Sequence, residues 1–141
     1  MATIQFFFPS KKINLRSRSE LKLFIQTIFK KEGKKLGQLT YVFCSDEFLL
    51  DINRIHLQHD YYTDIITFDL SEGTDYINGE IYVSADRVKD NATRLGIPIS
   101  HELHRVIFHG LLHLCGYKDK TKEQVKVMRA KEDFYLNLYF K

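Results

Sequence analysis

The chain has 141 residues, a length that suits one domain burying about two-thirds of its unfolded surface. Its formal charge is only +3, and no run approaches the roughly eighteen apolar residues of a membrane-spanning helix, which argues against a membrane protein. Two cysteines, Cys44 and Cys115, are too few for a disulfide framework and fit buried thiols in a reducing cytoplasm.

Thr3–Phe8 reads as a first strand closed by Pro9. The apolar start has no charged region before it and is not read as a signal peptide. Ser19 is the expected cap of a helix whose apolar positions Leu21, Phe24, Ile25, Ile28 and Phe29 share one face, with Gly33 as its stop. Gln38–Cys44 reads as a strand, and Ser45 as the cap of a helix running to about His56. Asp64–Leu70 and Tyr76–Ser84 are β-rich runs around the turn-forming residues Ser71 to Asp75, and they predict a hairpin. Ser84 is also the expected cap of a helix over Ala85–Leu95, ended by Gly96 and Pro98.

Ser100 is the expected cap of the next helix, with Leu103, Val106, Ile107, Leu111 and Leu114 as its core stripe and Gly110 allowing a close approach. Thr121 with Gln124 fits a capping box for a last helix reaching about Tyr139. The prediction is an α+β fold: one domain over residues 1–141, a mixed sheet of about four strands, and about five helices largely on one face.

The stretch Phe108-His109-Gly110-Leu111-Leu112-His113-Leu114-Cys115-Gly116-Tyr117-Lys118-Asp119 carries the chemistry. His109 and His113 are four residues apart, one turn apart on a single helix face. Gly116 ends that helix, and Asp119 follows at a distance that lets it face both imidazoles. Two nitrogens and one carboxylate oxygen around an open position describe a catalytic zinc-type site. The spacing is close to the metzincin arrangement, with the third ligand after a glycine turn. Gly110, however, stands where zinc peptidases carry a glutamate base, so peptide hydrolysis by that route lacks a proton acceptor. Cys115 falls off the ligand face.

These residues resemble the YbeY family of metal-dependent endoribonucleases. HGLLHLCGY is similar to its signature, Ile52-Asn53-Arg54 and Tyr62–Phe68 to two upstream segments, and Asn78–Ser84 to a family strand. There are two departures. Asp119 stands in place of the family's third histidine, which shifts metal preference from zinc toward harder ions such as manganese. Leu57 stands where the family has an arginine associated with catalysis. The resemblance implies a cytoplasmic enzyme cleaving single-stranded ribosomal RNA in small-subunit 3′-end maturation and ribosome quality control, with one zinc per chain. It implies the ribosome small subunit or its assembly factors as partners. A metal-activated water and the RNA 2′-hydroxyl both remain open as nucleophile, and no general acid is assigned.

Other residues are read beside that site. Arg105, one turn before His109, is a candidate catalytic or phosphate-binding residue through its forked guanidinium. Lys118 and Lys120 flank Asp119 and are candidate contacts to an anionic substrate. Glu102 lies seven residues before His109, about 10 Å along the axis and too far for a ligand; it is read as a solvated charge, with a role in the cleft as the alternative. His101 and His104 are read as surface or boundary histidines; His56 and His59 are read as loop histidines, with a substrate contact as the alternative, because the resemblance implies that the following Thr63-Asp64 segment borders the cleft. Tyr61 or Tyr62, if exposed, is suited to stacking on a base. Charge is segregated at +7, −8 and +4 over residues 1–40, 41–90 and 91–141, which permits a basic face toward RNA. The alternative to a nuclease is a metal-stabilised ribosome-assembly binding factor with little cleavage activity, a reading favoured by Leu57.

Overall fold

A computed structural model describes residues 2–9, 13–73 and 75–141 of the chain. Thr74, within the expected hairpin turn, and Met1 lie outside the described residues. The elements in order are β1 (Thr3–Phe7), α1 (Arg18–Lys31), β2 (Lys35–Cys44), α2 (Asp46–Leu57) and β3 (Ile65–Asp69). They continue with β4 (Tyr76–Ser84), α3 (Ala85–Leu95), α4 (Ile99–Leu114) and α5 (Lys122–Tyr139). The fold is α+β, with a four-stranded mixed sheet in the order β1-β2-β4-β3. β1 and β4 both run parallel to β2, while β3 pairs antiparallel to β4 as the hairpin predicted, with Ile65 opposite Val83.

Three caps form where the sequence places them. Ser45 Oγ accepts from Phe48 N–H, Ser84 Oγ accepts from Arg87 N–H, and Thr121 and Gln124 close a reciprocal capping box. Two differ. α1 is capped at Ser17, which has φ 54° and makes no side-chain cap bond, and Ser19 lies inside the helix. α4 is capped at Pro98 rather than Ser100, because a proline without an N–H suits a helix entry and extends the helix backward. β2 begins at Lys35, before the expected Gln38, because pairing to β4 resumes beyond an irregularity at Gly37. Asn78 Oδ1 enters that irregularity and accepts from Gln38 N–H at 2.7 Å.

One sheet face carries the main core. Leu39, Tyr41, Phe43, Ile81 and Val83 pack there against Leu21, Ile25, Ile28 and Phe29 of α1 and the stripe of α4. All five stripe residues, Leu103, Val106, Ile107, Leu111 and Leu114, are buried as predicted. α4 sits unusually close to the sheet at Gly110, where a Cβ would fall 2.9 Å from Ile65 and Ile81 side-chain atoms. Tyr41 Oη donates to the Ile107 carbonyl at 2.8 Å and ties β2 to α4. α5 seals the outside of α4 through Met128, Tyr135 and Leu136. α2 takes the opposite face, with Leu49 against Cys44 and Ile66. Both cysteines are free and buried, and burial pushes each thiol up to about 12.

Candidate metal centre

The end of α4 builds the centre. Gly116 adopts φ +107°, its N–H donates to the His113 carbonyl, and Tyr117 N–H reaches back to the Leu112 carbonyl, both at 3.0 Å. This is a Schellman stop. It turns the chain so that the Tyr117 carbonyl accepts from His113 Nδ1 at 2.9 Å. The helix terminator thereby fixes the ring of the second histidine. The first is fixed from another element: His109 Nδ1 donates to Glu132 Oε2 of α5 at 2.6 Å.

With both Nδ1 atoms serving as donors, both Nε2 atoms carry free lone pairs, and these converge. His109 Nε2 and His113 Nε2 are 3.0 Å apart, and Asp119 Oδ2 lies 3.3 and 3.2 Å from them. Ligands at about 2.0–2.1 Å around a tetrahedral ion are separated by about 3.3 Å. Three lone pairs at that spacing repel one another unless a cation or proton lies among them. The residues therefore fit a metal ion, and His109, His113 and Asp119 form the one group among the described residues able to hold it. Cys115 is outside the group.

Glu132 is 3 % exposed and also accepts from Arg105 Nη1 at 2.9 Å. Burial raises its carboxyl pKa, but the hydrogen bonds from His109 and Arg105 outweigh this and hold it below the usual range. Burial likewise disfavours charge on His109, yet Glu132, aided by Asp119 and Asp64, holds that imidazole above its usual pKa. Such carboxylate–histidine pairs set the tautomer and basicity of metal ligands. Glu132 belongs to no motif spacing. Its readable signal is an acid at a core position of α5, four residues after Met128 and four before Leu136.

The centre lies between two cavities, of about 410 and 600 Å³, which share Asp64, Ile65, His109 and Asp119. Asp64 is half-buried, and desolvation, opposed by the charge of His109, raises its pKa. Lys120 lines the 600 Å³ cavity beside His113, together with Leu57, His59 and Tyr61. Tyr61 is 56 % exposed and stacks on His59 with centroids 5.1 Å apart, forming a flat platform. Asn53, buried in α2, holds this loop by donating to the Tyr61 carbonyl at 2.8 Å.

The remaining predicted residues divide. Arg105 lines the 410 Å³ cavity, but its guanidinium is engaged by Glu132 and Asp133, each at 2.9 Å. Lys118 lies away from the centre, in a recess with Tyr117 and Glu123. Tyr62 is occupied by Glu47, to which its hydroxyl donates, and by Arg87 beside its ring. His56 sits edge-on to Phe68 and lines neither cavity. Two expectations are corrected. Glu102 is 5 % exposed, which overturns the solvated reading and agrees with the alternative of a role in the cleft, because it lines the 410 Å³ cavity. His104 is buried, with Nδ1 donating to the Ser100 carbonyl at 2.7 Å and its ring against Tyr139 and Phe140.

Comparison with known proteins agrees with this geometry. The family model described as Endoribonuclease YbeY matches residues 6–139. The Endoribonuclease YbeY of Cytophaga hutchinsonii is 54 % identical over 136 residues, covering 96 % of this chain and 95 % of that protein. That of Porphyromonas gingivalis is 44 % identical over 133 residues, covering 94 % and 87 %. The solution structure of a Thermotoga maritima protein superposes with a TM-score of 0.67 at 29 % identity, covering 94 % of this chain and 86 % of that one. A match over nearly the whole length, spanning the helix, the glycine stop and the α5 acid that orients the first histidine, leads to one assignment: the chain belongs to the YbeY endoribonuclease family.

Proposed function

We propose that this protein is a metal-dependent endoribonuclease of single-stranded ribosomal RNA, working in the cytoplasm in small-subunit 3′-end maturation and ribosome quality control. His109, His113 and Asp119 hold one divalent ion, zinc first, with manganese favoured more than at an all-histidine site because of the anionic oxygen ligand. The observation that carries this reading is the convergence of three lone pairs at 3.0, 3.2 and 3.3 Å, each histidine having its other nitrogen engaged. Such an ion supplies Lewis acidity at a phosphoryl oxygen and acidifies water.

The chain's own residues do the rest. Glu132 holds the His109 proton on Nδ1 and keeps Nε2 open, and the Tyr117 carbonyl does the same for His113. Arg105 secures Glu132 and so acts on the centre through it, rather than by a free guanidinium. Lys120 places a positive charge beside the groove, and Lys118 adds to the field from outside it. The His59–Tyr61 platform offers a face for an unpaired base. Among the described residues, no helix is long and apolar enough to cross a membrane.

The test is elemental analysis of the purified wild type beside Asp119→Ala, each followed by cleavage of ribosomal RNA. One ion per wild-type chain, lost with cleavage in the variant, is the expected result. Full occupancy in the variant removes Asp119 from the centre. Leu57, at a position where the family has an arginine, favours a second reading as a metal-stabilised ribosome-assembly factor. A metal-loaded wild type that binds ribosomal RNA without cutting it would establish that reading instead.

A further inference from the structure

Glu102 is a buried acid that the metal centre does not use. It is 5 % exposed, and its Oε1 has no hydrogen-bond partner among the described residues. A carboxyl oxygen in that position has given up its hydration without receiving a donor in exchange. A hydrophobic side chain would sit there at less cost, so the group reads as an acceptor for something outside the chain.

The 410 Å³ cavity that Glu102 lines narrows what that partner is. A second cation is a poor fit. Asp64, Glu102 and Glu132 do not converge, and among the described residues the one group close enough to share an ion is His109, His113 and Asp119. The walls are partly aliphatic, from Leu95, Val106 and Met128, while the exposed Arg94 and Arg129 stand among the lining residues. Asp64, Asp119 and Glu132 line the cavity as well, but Glu132 is engaged by His109 and Arg105, and Asp119 faces the two histidines. The partly apolar walls, the unsatisfied Glu102 oxygen and the rim guanidiniums therefore suit a flat ring that bears N–H donors and is joined to a phosphate.

Position agrees. Glu102 precedes His109 by seven residues on nearly one line of α4. The axial separation is about 10 Å, too far for the carboxyl to touch a phosphate held at His109 and suited to the base of a neighbouring nucleotide. We propose that this cavity is a base-binding subsite in which Glu102 selects guanine next to the cleaved bond. Guanine presents two parallel donors, its N1–H and its 2-amino group, to one carboxylate. Adenine and cytosine place a donor beside an acceptor, and uracil flanks its single donor with acceptors. A turn of the terminal carboxyl torsion, which is broad, presents both Glu102 oxygens to that edge. Burial, opposed by the charge of Arg105, holds this carboxyl above its usual pKa, and a bound pair of donors would stabilise its ionised form. The inference rests on the endoribonuclease reading above for its substrate.

The experiment uses the full-length, metal-loaded protein and labelled oligouridylates carrying a single guanosine, adenosine, cytidine or no replacement. Affinity is read by fluorescence anisotropy, and cut positions are mapped on gels. Wild type binds the guanosine oligomer about tenfold or more tightly than the others, and cuts fall at a fixed offset from the guanosine. Glu102→Met loses the preference while metal content is unchanged and Tm is equal or higher. Glu102→Gln, which keeps the shape but turns one acceptor into a donor, also loses it. Equal binding of all four oligomers by the wild type, or a guanine preference that survives both substitutions, overturns the subsite. Guanine-selective binding without cleavage supports the subsite while overturning the nuclease reading. Cleavage without base preference does the reverse.

Discussion

Glu132→Gln tests how the metal centre is held. Glu132 accepts from His109 Nδ1 at 2.6 Å and from Arg105 Nη1 at 2.9 Å, and only 3 % of it is exposed. Glutamine has nearly the same shape but one carbonyl oxygen, so it can serve one of these donors and must turn N–H groups toward the other. Whichever donor is abandoned leaves a buried, charge-assisted bond unmade, a loss of about 1.5–3 kcal/mol. If the loser is His109, its ring is free to rotate or to take the other tautomer, and Nε2 no longer points a lone pair at the centre. Partners of this kind alter metal affinity by about 10–100-fold, or roughly 1.4–2.7 kcal/mol. The expected result is a Tm several degrees lower and a metal affinity weaker by that factor, read by competition with a chromophoric chelator. Arg105→Met should weaken metal binding in the same direction but less, because Glu132 keeps its bond to His109. A folded Glu132→Gln protein with wild-type metal affinity would refute the claim that α5 orients the first ligand.

Two further predictions follow from the same geometry. Because Glu132, Asp119 and Asp64 hold the folded-state pKa of His109 above 6.5 despite its burial, the metal-free protein binds that proton more tightly folded than unfolded. Its contribution to stability is therefore complete below about pH 6.5 and lost as pH rises through the raised folded value. Thermal melts of metal-free protein across that window should show the fall, and Glu132→Gln should flatten it; a slope of opposite sign would contradict the arrangement. Gly116→Ala adds a Cβ that meets nothing within 4 Å, so its penalty is torsional, from φ +107°. It should destabilise the protein by about 1–3 kcal/mol in urea and weaken metal binding, since the turn positions the Tyr117 carbonyl against His113; wild-type behaviour in both assays would separate the turn from the centre.

Which parts of this molecule were legible in the chain follows from the range of the interactions involved. α3, α5 and the strands β3 and β4 are set by local patterns, namely caps, periodicity and turn residues, and they form close to where those patterns place them. Helix entries with two competing caps were not resolved this way: Ser17 displaces Ser19, and Pro98 displaces Ser100, through backbone geometry without a side-chain cap bond. The convergence of His109, His113 and Asp119 is also local, since one helical turn and one glycine stop deliver all three within eleven residues. Spacing alone is enough to suggest it.

What completes the site comes from far along the chain. Glu132 reaches His109 from 23 residues away, and Asp64 borders both cavities from the loop just before β3. Asp64 falls in the family-like segment Tyr62–Phe68, but no spacing ties it or Glu132 to the histidine pair. A weaker signal was nonetheless present: Glu132 and Glu102 each interrupt or border a buried apolar face, Glu132 between Met128 and Leu136, Glu102 beside Leu103 and Val106. A charged residue in such a position is either an error of pattern or a group whose partner lies elsewhere, because an unpaired buried charge is too costly to retain without use. For Glu132 the partners are His109 and Arg105. For Glu102 the chain supplies none to Oε1 among the described residues. The same reasoning that assigns the first acid to the metal centre thus sends the second outward, to a ligand that enters the cavity.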